Sequence, residues 1–90
     1  MTLVALEPRW LYRDGRCVGI RFACPCGGHC IFNPVTLFFQ NPDDGGPPDG
    51  PETMRRTRSG KKFSELSLEP PVVLPQHVSF VIRAGELIRV

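Results

Sequence analysis

Along most of this chain apolar and polar residues alternate with the two-residue period of strands, and nowhere do they hold the 3.6-residue period of an amphipathic helix. The clearest run is 16–24, where Val18, Ile20, Phe22 and Cys24 share one side and Cys17, Gly19, Arg21 and Ala23 the other. Before it, the apolar run 2–6 is closed by Glu7-Pro8, and Trp10-Leu11-Tyr12 precedes the turn signal Asp14-Gly15. These read as two strands meeting at a corner, the second folded back as a hairpin onto 16–24. Trp10 and Tyr12 fall on one side of such a strand and are expected to cap the core edge.

Further on, Val35-Thr36-Leu37-Phe38-Phe39 is rich in β-branched and aromatic residues and reads as a strand with Pro34 at its start or on an edge. Residues 63–69 alternate, with Leu66 and Leu68 inward, until Pro70-Pro71 stops them, and Val72-Val73-Leu74 reads as a short buried piece. The last run, 77–83, puts Val78, Phe80 and Ile82 on the core side and turns at Ala84-Gly85 into a final strand, leaving His77 at the mouth of that hairpin. Between these runs, 41–62 holds almost no apolar residue. Its first half is acidic and rich in Gly and Pro, and its second carries Arg55, Arg56, Arg58, Lys61 and Lys62. It reads as one long flexible charged loop whose halves neutralise each other in solvent, or whose basic half meets phosphate or an acidic surface.

Composition sharpens the picture. Ninety residues make one domain, of a size at which a single core is barely sufficient and a metal staple helps most. Ten prolines and nine glycines are too many for a helical domain. The fold class expected is therefore mainly β, a small zinc-stapled antiparallel sheet with a long charged loop and little or no helix. A net charge of +2 announces neither a nucleic-acid nor a membrane partner, and no apolar run is long enough to span a bilayer.

The chemistry is concentrated in Cys24-Pro25-Cys26-Gly27-Gly28-His29-Cys30. Cysteine supplies soft ligands, proline stiffens the entry and glycine permits the positive φ a tight fold needs. The segment reads as a zinc knuckle, with Cys24 and Cys26 one residue closer than the usual Cys-x2-Cys, so Cys30 or His29 completes the near side. Downstream the only Cys or His is His77, the natural fourth ligand. Cys17 lies on the opposite strand face from Cys24 and is expected to be a small core or sheet-face residue and not a ligand. Two competing readings are disulfides and buried thiols. The N-terminus lacks a basic start, a long apolar run and a cleavage site, so a reducing compartment is expected, and Cys24 and Cys26 are too close to bridge without strain.

Several segments together resemble a group of small phage, prophage and bacterial proteins: Leu6-Glu7-Pro8-Arg9-Trp10, Phe22-Ala23-Cys24-Pro25-Cys26, the run 63–72, and 77–87 ending in Gly85-Glu86-Leu87. That group shows a leucine-x-proline-x-tryptophan pattern, a Cys-Pro-x-Cys cluster, a Ser/Thr-Leu-x-Pro segment and a His strand ending Gly-Glu-Leu, and is presumed to bind zinc. The resemblance implies Cys24 and Cys26 as near ligands and His77 as a far one. Three departures stand out: the closer Cys pair, Pro71 where serine is usual, and Ser79 where a second histidine often lies, for which Cys30 is the replacement.

The functional expectation is a phage-encoded, zinc-stabilised β-module that binds another protein, as a virion accessory subunit or a host-directed factor in the host cytoplasm. Homo-oligomers are compatible with its sheet edges. The alternative is a nucleic-acid-binding zinc ribbon using Arg55, Arg56, Arg58, Lys61 and Lys62 with Trp10 or Tyr12 as stacking platforms. An enzyme is disfavoured. Glu65 and Glu86 have no supporting spacing, and the deaminase, nucleophile-elbow and phosphate-loop patterns are absent.

Overall fold

The computed structural model describes residues 1–27 and 30–90. It contains seven strands, β1 (Arg9–Arg13), β2 (Arg16–Phe22), β3 (Val35–Phe39), β4 (Arg55–Ser59), β5 (Ser67–Val73), β6 (Ser79–Arg83) and β7 (Glu86–Arg89). They form one curled sheet in chain order. Every pairing is antiparallel except β3 with β4, which is parallel and joins only Phe38 to Arg55 and Phe39 to Arg56. The fold is mainly β, as the alternation predicts.

The two tight hairpins have a local cause. Asp14 and Gly15 sit at φ 52° and 78°, and Ala84 and Gly85 at φ 48° and 77°, the left-handed pair whose twist matches flanking antiparallel strands. A Cβ on Gly85 would meet the Ser64 carbonyl oxygen at 2.5 Å, so that corner needs glycine for space as well as for φ.

Inside the curl lie Ile20 and Phe22 of β2, Val35, Leu37 and Phe39 of β3, Leu68 and Val72 of β5, and Phe80 and Ile82 of β6, together with Leu3, Leu6, Cys24 and Leu66. The two-residue period assigns Ile20, Phe22, Cys24, Leu66, Leu68, Phe80 and Ile82 inward, as found; Leu3 and Leu6 are buried from outside the strands, and Val81, which the same period turns outward, is buried as well. Phe22 and Phe80 meet edge to face at 6.1 Å, joining the two halves of the sheet through the core. The chain's start draws the sheet's ends together. The Leu3 amide donates to the Gly85 carbonyl at 2.8 Å, Leu87 to Met1 at 2.8 Å, and Ala23 to Leu6 at 2.9 Å.

Five expectations are corrected. Residues 2–6 are not a strand: Leu3–Leu6 is a 3-10 turn capped by the Thr2 hydroxyl, because the apolar pair Leu3 and Leu6, three apart, falls on one side of such a turn and is buried there. The segment 41–62 is not a single loop, since Glu52–Met54 forms a second 3-10 turn and Arg55–Ser59 is β4, inside the sheet. Pro70-Pro71 does not end its strand. β5 runs through both, and between the pairs Leu68↔Ile82 and Val72↔Phe80 three residues of β5 face one of β6, a bulge that moves the prolines, which have no amide to donate, out of the ladder. β5 also begins at Ser67, residues 63–65 being a turn, and His77 lies in the turn before β6. Among the described residues no helix is long and apolar enough to cross a membrane.

Candidate metal centre

β2 ends at Phe22, and the alternation that buries Val18, Ile20 and Phe22 continues inward to Cys24. From there two turns fold the chain back towards β3. The Gly27 amide donates to the Cys24 carbonyl at 3.4 Å, with Gly27 at φ 77°, and the Asn33 amide to the Cys30 carbonyl at 3.2 Å. The Asn33 side chain ties the two ends of this loop together, its Oδ1 accepting from the Cys24 amide at 3.2 Å. Opposite, the β5–β6 connection turns at Pro75 and Gln76, held by the His77 amide on the Leu74 carbonyl at 3.0 Å.

These two connections bring together residues 53 apart in sequence. Cys24 Sγ lies 3.2 Å from His77 Nε2, and Cys26 Sγ lies 3.7 Å from Cys30 Sγ. One ligand atom from each of Cys24, Cys26, Cys30 and His77 falls within 4.8 Å of every other. Around a tetrahedral zinc, sulfurs at ordinary bond length stand about 3.8 Å apart, and sulfur and nitrogen about 3.6 Å. The 3.2 Å sulfur–nitrogen and 3.7 Å sulfur–sulfur spacings lie just below those values and no pair exceeds 4.8 Å, so the donors fit a cation of that size with small side-chain movements. None of the four cysteines is in a disulfide, and the 3.7 Å between Cys26 and Cys30 is well beyond the ~2.05 Å of a covalent bridge.

Burial pushes the Cys24 thiol up to about 11, the Cys26 amide opposes this, and the Cys26 and Cys30 thiols add to it. The Cys24 thiol resists ionisation on its own; a divalent cation reverses this, because it binds the thiolate and releases its proton. The His77 ring stacks on Phe32, centroids 5.3 Å apart and planes 26° from parallel, which fixes its approach to the thiols. The cluster can hold a metal. Three sulfurs and one imidazole make a closed set of four donors.

The sequence reading names all four. His29, its alternative to Cys30, lies outside the described residues. Cys17 stays apart, half-buried, its thiol on the Gly19 carbonyl at 3.9 Å. Two supporting residues were missed. Asn33 was legible only as a turn residue before Pro34, and Phe32 carried no signal, because both act through a fold that sequence spacing does not reveal.

The basic residues divide. Arg56 is buried, its guanidinium donating to the carbonyls of Thr53 at 3.0 Å, Arg55 at 2.8 Å and Pro71 at 3.2 Å. Arg58 is covered too, its guanidinium 4.8 Å from the centre of the Phe39 ring and paired with Asp43. Arg55 is half-buried and donates to Gly50, while Lys61 and Lys62 are exposed. Trp10 stacks on Phe63 at 4.3 Å and meets Phe39 edge-on at 6.1 Å. Arg55, Arg56, Arg58, Lys61, Lys62 and Trp10 therefore do not form one exposed basic and aromatic surface: Arg56, Arg58 and Trp10 are spent on packing.

Comparison of the chain with protein-family models, with curated proteins and with solved structures returns no match.

Proposed function

We propose that the chain is a zinc-stabilised β-module that works by binding another protein. The observation that carries this reading is the convergence of Cys24, Cys26, Cys30 and His77 within 4.8 Å. A thiolate-rich set favours zinc over the hard cations that seek oxygen, and four protein donors leave no position for a reactive water. The metal's role is then to hold the fold, and the working surface lies elsewhere on the sheet. By its resemblance to small phage and prophage proteins, the module is phage-encoded and acts in the virion or the host cytoplasm.

The nucleic-acid alternative gains nothing from the placement of Arg56, Arg58 and Trp10, which supports the protein-binding reading over it. The test is elemental analysis of the purified chain with its Cys24→Ser and Cys17→Ser variants. Zinc at one per chain, lost on Cys24→Ser and kept on Cys17→Ser, is the expected result. A chain that folds normally and takes up no metal from zinc-supplemented medium overturns it.

A further inference from the structure

The donors of the metal centre are unequally covered. Cys24 is 2% exposed, with its Sγ 3.2 Å from His77 Nε2 and its amide tied to Asn33 Oδ1. Cys26 is exposed and Cys30 half-buried, and their sulfurs stand 3.7 Å apart. That is van der Waals contact, and a covalent bridge needs ~2.05 Å. Between the two cysteines the sequence holds Gly27, Gly28 and His29. Gly27 already sits at φ 77°, and two glycines give this short connection the backbone freedom to close the remaining distance. Cys24 is placed differently, because Pro25 alone separates it from Cys26, too small a ring to bridge without strain. The sulfurs open to solvent are thus also the pair set to join.

We propose that Cys26 and Cys30 are a redox switch of the metal centre, oxidised by a peroxide to a disulfide that releases the zinc. The inference rests on the structural-zinc reading and adds its regulation. A metal-bound sulfur is already deprotonated, so an exposed one is a nucleophile at neutral pH. The Cys26 thiolate attacks one peroxide oxygen, the O–O bond breaks, and a sulfenic acid forms as hydroxide leaves. The Cys30 thiolate then attacks the Cys26 sulfur; the S–S bond forms, the S–O bond breaks and a second hydroxide leaves. Each hydroxide takes a proton from solvent. Two thiolates therefore lose two electrons, and one hydrogen peroxide becomes two waters.

The disulfide leaves Cys24 and His77 as the only donors, where a structural zinc site uses four. Cys26 and Cys30 belong to the β2–β3 connection and His77 to the β5–β6 connection, so oxidation unties what the metal joins. β3 and β4 meet at two residue pairs, and little main-chain pairing replaces the lost tie. Cys17 takes no part, being outside the cluster with its thiol on the Gly19 carbonyl.

The test begins with the zinc content of the purified, reduced chain. Hydrogen peroxide is then added stepwise beside a chromogenic chelator, the remaining thiols are alkylated in denaturant, and their positions are read by tandem mass spectrometry. The expected result is stoichiometric release of the zinc, loss of two hydrogens from the chain, and alkyl groups on Cys17 and Cys24 alone. A thiol reductant with added zinc restores the starting content. Zinc retained under excess peroxide, a bridge that includes Cys24, or a release that reductant and zinc do not reverse overturns the switch and leaves the structural zinc standing. A folded chain that holds no zinc before oxidation, even from zinc-supplemented medium, overturns both.

Discussion

At the residue scale, the four donors are not equivalent to the other thiol. Cys17 is half-buried against the core, apart from the cluster and with its thiol on the Gly19 carbonyl, so Cys17→Ser should leave zinc stoichiometry unchanged, whereas Cys30→Ser or His77→Ala should lower zinc affinity by about 100-fold or more. Phe32→Ala removes the ring that orients His77 and no donor. It should cost about tenfold in affinity at unchanged stoichiometry, as outer-shell changes do. Competition with a chromogenic chelator measures all four variants, and a full-affinity His77→Ala would show the imidazole to be a bystander. A second residue-scale contact responds to pH. Arg16 donates to both Asp44 oxygens and, with the Gly46 amide, holds that carboxyl down at about 2 against an ordinary 3.8. A depressed carboxylate contributes stability that is present above its unfolded value and is lost as pH falls through its folded one. The tether between the acidic loop and β2 should therefore persist at pH 4 and release between about pH 4 and 2. Carboxyl chemical shifts of Asp44 report this directly. A midpoint at the ordinary value would mean that the pair is not formed in solution.

At the element scale, β3 leaves no room for a side chain on β2 at Gly19. A Cβ there would meet the Leu37 carbonyl oxygen at 2.3 Å, backbone that cannot swing aside. Gly19→Ala should force the two strands apart and destabilise the fold by about 2–3 kcal/mol, as other overpacked sites do. Thermal denaturation checks it, and an unaltered melting temperature would mean that β2 and β3 part without cost. The elements also show what a sequence can and cannot disclose. β2, β3, β6 and both tight hairpins are legible because apolar residues stand at every second position and Asp14-Gly15 and Ala84-Gly85 punctuate them. β4 is not, since the residues it turns into the fold are Arg56 and Arg58, whose burial depends on carbonyls and on the Phe39 ring supplied by other strands. The 3-10 turn Leu3–Leu6 was misjudged for the opposite reason: its apolar run suits a strand equally well, and only the three-residue spacing of Leu3 and Leu6 hints at the turn. The metal cluster was legible because cysteine and histidine are scarce and chemically distinctive, whatever fold carries them.

At the scale of the molecule, the weakest line in the sheet is the seam between β3 and β4, where two residue pairs join the half formed by β1–β3 to the half formed by β4–β7. Three of the candidate ligands belong to the first half, in the β2–β3 connection, and His77 belongs to the second. A bound metal is thus a cross-link over the seam, between residues 53 apart, and does what the seam's few main-chain bonds cannot. Its apparent binding free energy in small zinc modules is about 10–16 kcal/mol, against a total stability of about 5–15 kcal/mol for an ordinary domain. Chelation should therefore lower the melting temperature sharply. Hydrogen exchange in the chelated protein should rise first in 24–33, in 74–78 and across the β3–β4 pairs, and only later in the β1–β2 and β6–β7 hairpins, which are closed locally by their own turns. Exchange that rises uniformly would show the halves to be one cooperative unit, with the metal adding stability but no division of labour. Should chelation leave both exchange and melting temperature unaltered, the core through Phe22 and Phe80 holds the halves together unaided, and the four donors are not a structural staple.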